Sequence, residues 1–221
     1  MSDMLKDEAG QTEAPPARIA GLVAFNTQRK QNSRENLLIA ATTLFCRDGY
    51  SAVAVEDITN AAGVSRVTFY RHFSTKSAVA LDLFERAATQ GAPHVLAIGE
   101  RDWHDRETVI SWLTDHFAKD RQMQGILRVL SQASVAEADF TKAAQPFIFD
   151  MVAGLGKRIP AFDVQDDPHR RTRAWLLIYT ILDQSNRAAT TTNHTDDQIL
   201  IEVLAEHFLA FVRTDAPAPP G

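Results

Sequence analysis

The stretch that most constrains this chain is Val55 to Lys76, VEDITNAAGVSRVTFYRHFSTK. It reads as two short helices joined by a tight turn. Val55 to Ala62 forms the first, with Ile58 and Ala61 or Ala62 facing inward. Gly63 stands where the helix must stop and the chain reverse, since glycine takes positive φ without a Cβ clash. Val64 is apolar and plugs the gap between the helices. Ser65 is a good N-cap for the second helix, because its hydroxyl accepts from an orphan backbone N–H. Phe69 and Phe73, four apart, share the inner face of that helix. Arg66, Val67, Thr68, Tyr70, Arg71 and His72 are left on its outer face.

That division points to nucleic acid. A two-turn helix offers a few side chains from its N-terminal end, and the major groove of B-DNA admits it. Arginine bonds guanine edges and threonine offers a methyl to thymine, so Arg66 and Thr68 are expected to read bases. Tyr70, His72 and Lys76 are expected mainly to hold phosphates, and Arg71 either. A plain helical hairpin with a solvated polar face is the competing reading.

The residues Phe45, Gly49-Tyr50, Val55, Asp57-Ile58, Ala61-Ala62-Gly63-Val64-Ser65, Thr68-Phe69-Tyr70, His72-Phe73 and Lys76 stand in an order and spacing that resemble the helix-turn-helix of the TetR family of bacterial transcriptional regulators. The resemblance runs from about Ser33 to Arg86. It implies an all-α fold: an N-terminal three-helix DNA-binding head on a C-terminal helical body that binds a ligand and dimerises. Two positions depart from the family pattern. Ala54 stands where a Ser or Thr usually caps the first helix of the pair, with Ser51 as the candidate substitute. Glu56 places a carboxylate where some relatives contact DNA, and it repels phosphate unless it reads a cytosine amine.

Charge is divided in the same way. The net charge is −5, which argues against indiscriminate DNA binding. Between Arg18 and Lys76 there are eight basic residues against four acidic. The rest of the chain keeps 15 of the 23 basic and 24 of the 28 acidic residues. A basic reading end on an acidic body fits this asymmetry.

The remaining chain reads as helices. Residues 1–31 are expected to be a disordered or partly helical extension, with Arg29, Lys30 and Arg34 as an arm toward phosphates or a solvated linker. The head is expected over 32–78, its first helix starting near Ser33 behind an Asn32–Glu35 capping pair. The regulatory and dimerisation body occupies 79–214, and residues 215–221 form a disordered tail. In the body, a helix from Lys76 is expected to end at Gly91-Ala92-Pro93, and Pro146 to bend or restart another. Asp167 and Pro168 open a long helix, and Thr195 with Gln198 opens the last.

Without the resemblance, the last two helices are either core or a dimer seam. The resemblance implies the seam, with Ile199, Val203, Phe208 and Phe211 as members, and a homodimer on a palindromic double-stranded operator. It also implies a small-molecule pocket among the middle helices. Phe84, Trp112, His116, Phe117 and Met123, then Phe147, Met151, Trp175, Tyr179 and Asp183, are the candidate lining. Each aromatic among them also reads as simple core, whereas His116 and Asp183 are polar groups on apolar faces that need partners.

The function expected is a homodimeric transcriptional repressor released from its operator by a small molecule. The alternative is an architectural or adaptor protein of the same fold that binds DNA without a ligand. No HExxH, CxxC or GxSxG spacing supports an enzyme, and Trp103-His104-Asp105 sets side by side groups that do not face each other on a helix. No catalytic residue, metal site or cofactor is expected. One cysteine, Cys46, reads as a small packed residue rather than a redox switch. With no signal pattern or membrane span, the expected location is the cytoplasm, at the nucleoid.

Overall fold

A computed structural model describes residues 17–191 and 197–214, with side chains from Lys30 onward. Among the described residues the chain is helical and has no strand. Three helices build the head: α1 (Ala17–Asp48), α2 (Val55–Ala62) and α3 (Arg66–His72). Then come α4 (Lys76–Leu96), α5 (Arg106–Gln122), α6 (Gln124–Ala136), α7 (Ala138–Gly156), α8 (Pro168–Thr190) and α9 (Asp197–Thr214). None of these helices is long and apolar enough to cross a membrane. The expected terminal tails, and Thr195 as a cap for α9, lie outside the described residues.

Helix ends obey local chemistry in most places. Gly49 sits at φ 88° and Gly63 at φ 65°, the left-handed conformation in which a Cβ is strained. Thr75 caps α4 by accepting from Ala78 N–H at 3.0 Å. Asp167 Oδ1 accepts from the N–H groups of His169 and Arg170 at 2.9 and 3.1 Å, with Pro168 in the first turn of α8.

Two expected breaks are absent, and a third position does not restart its helix. No helix starts at Ser33, because α1 runs unbroken from Ala17. α4 passes through Gly91 and Pro93 to Leu96, and α7 passes through Pro146. A proline forfeits one backbone bond, but burial of the residues C-terminal to it outweighs that loss. Beyond Pro93, Val95 and Ile98 are fully buried, and Trp112 Nε1–H donates to His94 O at 3.0 Å. Beyond Pro146, Met151, Val152 and Leu155 are buried in the body core.

Two hydrophobic cores result. The body core joins Trp112, Leu113 and Phe117 of α5 to Ile178 and Ile181 of α8 and to Leu204, Phe208 and Phe211 of α9. The other lies under the head, with Leu37, Phe45, Ile58, Phe69 and Val79. It does not stop at the head: Val129, Leu130 and Ala133 of α6 and Phe140 of α7 belong to it. The three-helix head therefore rests on body helices through shared apolar packing.

Candidate nucleic-acid interface and body cavity

The turn between α2 and α3 is built as its residues require. The Gly63 and Val64 N–H groups close back on Asn60 O and Thr59 O at 3.2 and 3.0 Å, satisfying the carbonyls that end α2. Ser65 Oγ accepts from Thr68 N–H at 3.1 Å. Ala54 cannot cap α2 with its side chain. The Asp57 carboxylate accepts from Ala54 N–H at 2.8 Å, which is the reciprocal half of a capping box; no side chain at Ala54 supplies the other half.

Phe69 is fully buried and Phe73 nearly so, their rings 5.9 Å apart. This anchors the inner face of α3 and turns the other face outward. Val67 is 77% exposed and Tyr70 50%, with Arg66 and Arg71 exposed beside them. Thr68 is partly buried, and its hydroxyl accepts from Arg71 Nη2 at 3.4 Å. Arg66 lies over the Tyr70 ring, 5.9 Å from its centroid, and its guanidinium is ion-paired with Glu56 of α2. Both partners of that pair are more than 45% exposed, so the bond is weak in energy. It nevertheless points the arginine at a carboxylate instead of at a base.

Replacing Glu56 by Gln removes that competitor and a negative charge from the DNA-facing side. The expected result is binding about threefold to tenfold tighter on a preferred duplex at fixed salt, read by fluorescence anisotropy. Weaker binding instead would mean that Glu56 itself accepts from a base.

Two residues expected to hold phosphate are placed otherwise. Lys76 Nζ donates to Tyr50 O and Val53 O at 2.8 and 2.9 Å and sits 4.4 Å over the Tyr50 ring. It ties the α1–α2 connection to the start of α4, and burial lowers its pKa. His72 is half-buried, and its Nε2 is buried with no hydrogen-bond partner. Burial first, then the cations of Arg71, Lys30 and Arg34, lower its pKa, so the ring is neutral at pH 7 and brings no charge to a phosphate. Arg34 is not an arm either. It bonds Asp82 of α4 at 2.5 Å and lies 5.2 Å over the Phe73 ring.

The head is also gripped from the body. Gln132 Oε1 of α6 accepts from Tyr50 N–H at 2.7 Å, and Tyr50 Oη donates to Glu137 at 3.0 Å. Glu137 lies between α6 and α7. Sequence reasoning missed Gln132, Glu137 and Asp57. Nothing local marks the first two, because their partners stand more than 80 positions away.

Between α4, α5, α6, α7 and α8 lies a cavity of about 550 Å³. Eight of the residues expected to line it do so: Phe84, His116, Met123, Phe147, Met151, Trp175, Tyr179 and Asp183. Trp112 and Phe117 do not. Both are 1% exposed inside the body core, and Trp112 packs on Phe208 at 5.4 Å. Their apolar stripe is shared with α9, which leaves no face for the cavity.

His116 is 4% exposed. Its Nε2 is 3.8 Å from Asp120 Oδ2, beyond hydrogen-bond reach, and has no partner. Burial lowers its pKa more than the nearby Asp120 carboxylate raises it, so the ring is neutral near pH 7. Asp120 accepts from Ser185 Oγ at 2.7 Å. Asp183 accepts from Arg187 Nε at 2.8 Å.

The last two helices divide the expected seam in half. Phe208 and Phe211 are 0% and 4% exposed in the monomer core, so neither is available to a second chain. Ile199 and Val203 remain exposed on α9, and Leu176 and Tyr179 on α8. Cys46 is exposed rather than packed away. No cluster of three or more metal-ligating side chains occurs among the described residues.

Comparison with known proteins agrees with this geometry. Residues 37–83 match the family model described as bacterial regulatory proteins, tetR family. The HTH-type transcriptional activator FasR of Mycolicibacterium smegmatis is 35% identical over 86 residues, 39% of this chain and 38% of that protein. The HTH-type transcriptional repressor DhaR of Mycobacterium sp. (strain GP1) is 47% identical over 45 residues, 20% of this chain and 23% of that one. The matches thus span well under half the length of these relatives. Over the whole fold, the fatty acid degradation regulator FadR from Bacillus halodurans superposes with a TM-score of 0.56 at 15% identity, covering 80% of this chain and 94% of that one. Escherichia coli NemR in its reduced form gives 0.51 at 19% identity, covering 85% and 98%. A TetR family transcription regulator from Marinobacter aquaeolei gives 0.50 at 19%, covering 84% and 97%. Residues 37–83 of this chain are therefore the N-terminal domain of the tetR family of bacterial regulatory proteins, carried on a body with the fold of solved regulators.

Proposed function

We propose that this protein is a homodimeric, sequence-specific transcriptional repressor, released from its DNA operator by a small molecule held in the body cavity. The observation that carries the reading is mechanical continuity between two sites. Helix α6 walls the cavity with Leu127, Leu130, Ser131 and Ser134. The same helix holds Tyr50 N–H through Gln132 and packs Val129 and Ala133 into the core under the head. A ligand that favours one placement of α6 biases the placement of α3, and linkage then weakens DNA binding by the ligand's differential affinity for the two states.

Arg66, Thr68 and Arg71 would read base edges, with Val67 offering an apolar contact and Tyr70 a backbone contact. The exposure of Arg66, Val67, Tyr70 and Arg71 on an anchored α3 supports their roles, with Thr68 partly buried beside them. One such helix makes few base contacts, so two-fold symmetry is needed to build affinity. The exposed Leu176, Tyr179, Ile199 and Val203 supply an apolar face on α8 and α9 for pairing. A drug-sized cavity weighs against the ligand-independent adaptor.

The test is selection of bound sequences from a random duplex pool at near-physiological salt. A two-fold symmetric motif with half-sites about one helical turn apart is the expected result. Failure to enrich any sequence over random DNA would sink the proposal.

A further inference from the structure

Resting on the effector reading above, we infer that the cavity ligand is an uncharged, flat, polycyclic or aromatic molecule bearing hydroxyl or carbonyl groups, and that anionic ligands such as carboxylates are excluded.

Shape is set by the aromatic walls. Trp175 and Tyr179 are stacked at 5.1 Å with an interplanar angle of 6°, so they present parallel ring edges and faces rather than a narrow tube. Phe84 meets Phe140 and Phe147 edge-on at 5.8 and 5.5 Å. Ring systems stack on and against such surfaces. The volume of about 550 Å³ suits a drug-sized molecule.

The polar groups are set by three buried atoms with no partner: His116 Nε2, Trp175 Nε1 and Asn186 Oδ1. All three belong to residues that line the cavity; each atom is itself covered by its neighbours, so a ligand reaches it only when the side chain turns. Indole nitrogen is a donor only, so what meets Trp175 must accept. Asn186 Nδ2 already donates to Ser131 Oγ at 3.3 Å, which leaves its oxygen in need of a donor. A molecule with both donors and acceptors, such as a hydroxylated or keto-hydroxy ring system, satisfies them together. Leaving such groups unpaired is what makes polar burial unfavourable.

Charge supplies the exclusion. The ionisable groups of the lining are His116, Asp120, Asp183, Lys142 and the Tyr179 phenol. The Lys142 side chain is 81% exposed and lies 3.9 Å from Asp139, so it is a solvated cation at the surface. The Asp120 side chain is 15% exposed and shares the interior with His116. An entering anion therefore loses its water, meets a carboxylate and finds no buried cation. A cation would approach Asp120, but that carboxylate already takes the Ser185 hydroxyl, and Asp183 is engaged by Arg187.

The experiment titrates the full-length protein with three probes of one shape: 9-anthracenemethanol, 9-anthracenecarboxylate and 9-anthracenemethylammonium. Energy transfer from tryptophan to anthracene reads binding. The alcohol is expected to bind at least about tenfold more tightly than the carboxylate, and more tightly than the ammonium. Trp175→Phe keeps a six-membered aromatic ring but removes the five-membered ring with its N–H, so it should weaken the alcohol by about threefold to tenfold, read by anthracene anisotropy because the variant lacks that energy donor. A carboxylate or an ammonium that binds as tightly as the alcohol overturns the assignment of class while leaving an occupied cavity. Alcohol binding unchanged in Trp175→Phe overturns the placement. Failure of all three probes to bind overturns the inference, and the sequence selection, which needs no ligand, then decides separately whether the regulator reading survives.

Discussion

Replacing Phe208 by alanine is expected to lower the free energy of unfolding by about 3–5 kcal/mol, read by urea denaturation at fixed protomer concentration. The side chain is completely buried. Its ring lies 5.4 Å from Trp112 and 5.9 Å from Phe162, and Phe162 in turn packs 4.8 Å from Phe211. Truncation removes the transfer energy of an aromatic ring and leaves a void. Neighbours drawn from α5, α9 and the short turn at Pro160–Phe162 hold one another in place and cannot collapse into it. The slope of the urea transition should stay the same, since the surface exposed on unfolding barely changes.

Ile199→Asp is the companion variant. Ile199 is 62% exposed and belongs to neither core, so its effect on monomer stability should stay within about 0.5 kcal/mol. Its effect belongs to self-association: the mass of the particle should fall to that of one chain at micromolar concentration. The two variants separate roles that the apolar stripe of α9 runs together. A stability loss below about 1 kcal/mol for Phe208→Ala would refute its place in the core. A wild-type particle that already has the mass of one chain would remove the proposed seam.

The second large effect concerns Lys76. Lys76→Met keeps most of the aliphatic stem and removes the ammonium. Two charge-assisted hydrogen bonds to Tyr50 O and Val53 O and the contact with the Tyr50 ring are lost. The expected loss of stability is about 2–3 kcal/mol, seen as a lowered melting temperature. The connection from Gly49 to Ala54 orients α2, so affinity for any duplex falls with it. The salt dependence of the binding that remains should match the wild type, because no phosphate contact has gone. A slope flatter by about one unit per half-site, with unchanged melting, would return Lys76 to the DNA backbone.

What could be read from the sequence was what a few adjacent residues settle among themselves. Gly63 ends α2 because of its own φ, Ser65 caps α3 three residues ahead, and helical period turns Phe69 inward, while Phe73 packs on it from the extended residue just past the end of α3. The start of α8 at Asp167-Pro168 rests on the same short-range chemistry. The exposed face of α3 came with them, since anchoring one side of a two-turn helix exposes the other. Eight of the cavity's lining residues came from apolar patterning together with the family resemblance.

The remainder was decided by partners far away in sequence. A lysine beside a reading helix looks the same whether it faces a phosphate or a carbonyl, and only the return of the Tyr50–Val53 segment made the difference. A helix apolar on more than one side does not state which side meets a neighbour, so Trp112, Phe117, Phe208 and Phe211 became core only when α5 and α9 packed together. Pro93 and Pro146 weakened local helix bonds, but burial of the residues beyond them was worth more. The grip of Gln132 on Tyr50 joins positions 82 apart. Period and capping act within a turn or two of helix, whereas burial and long-range hydrogen bonds exist only once the helices have met.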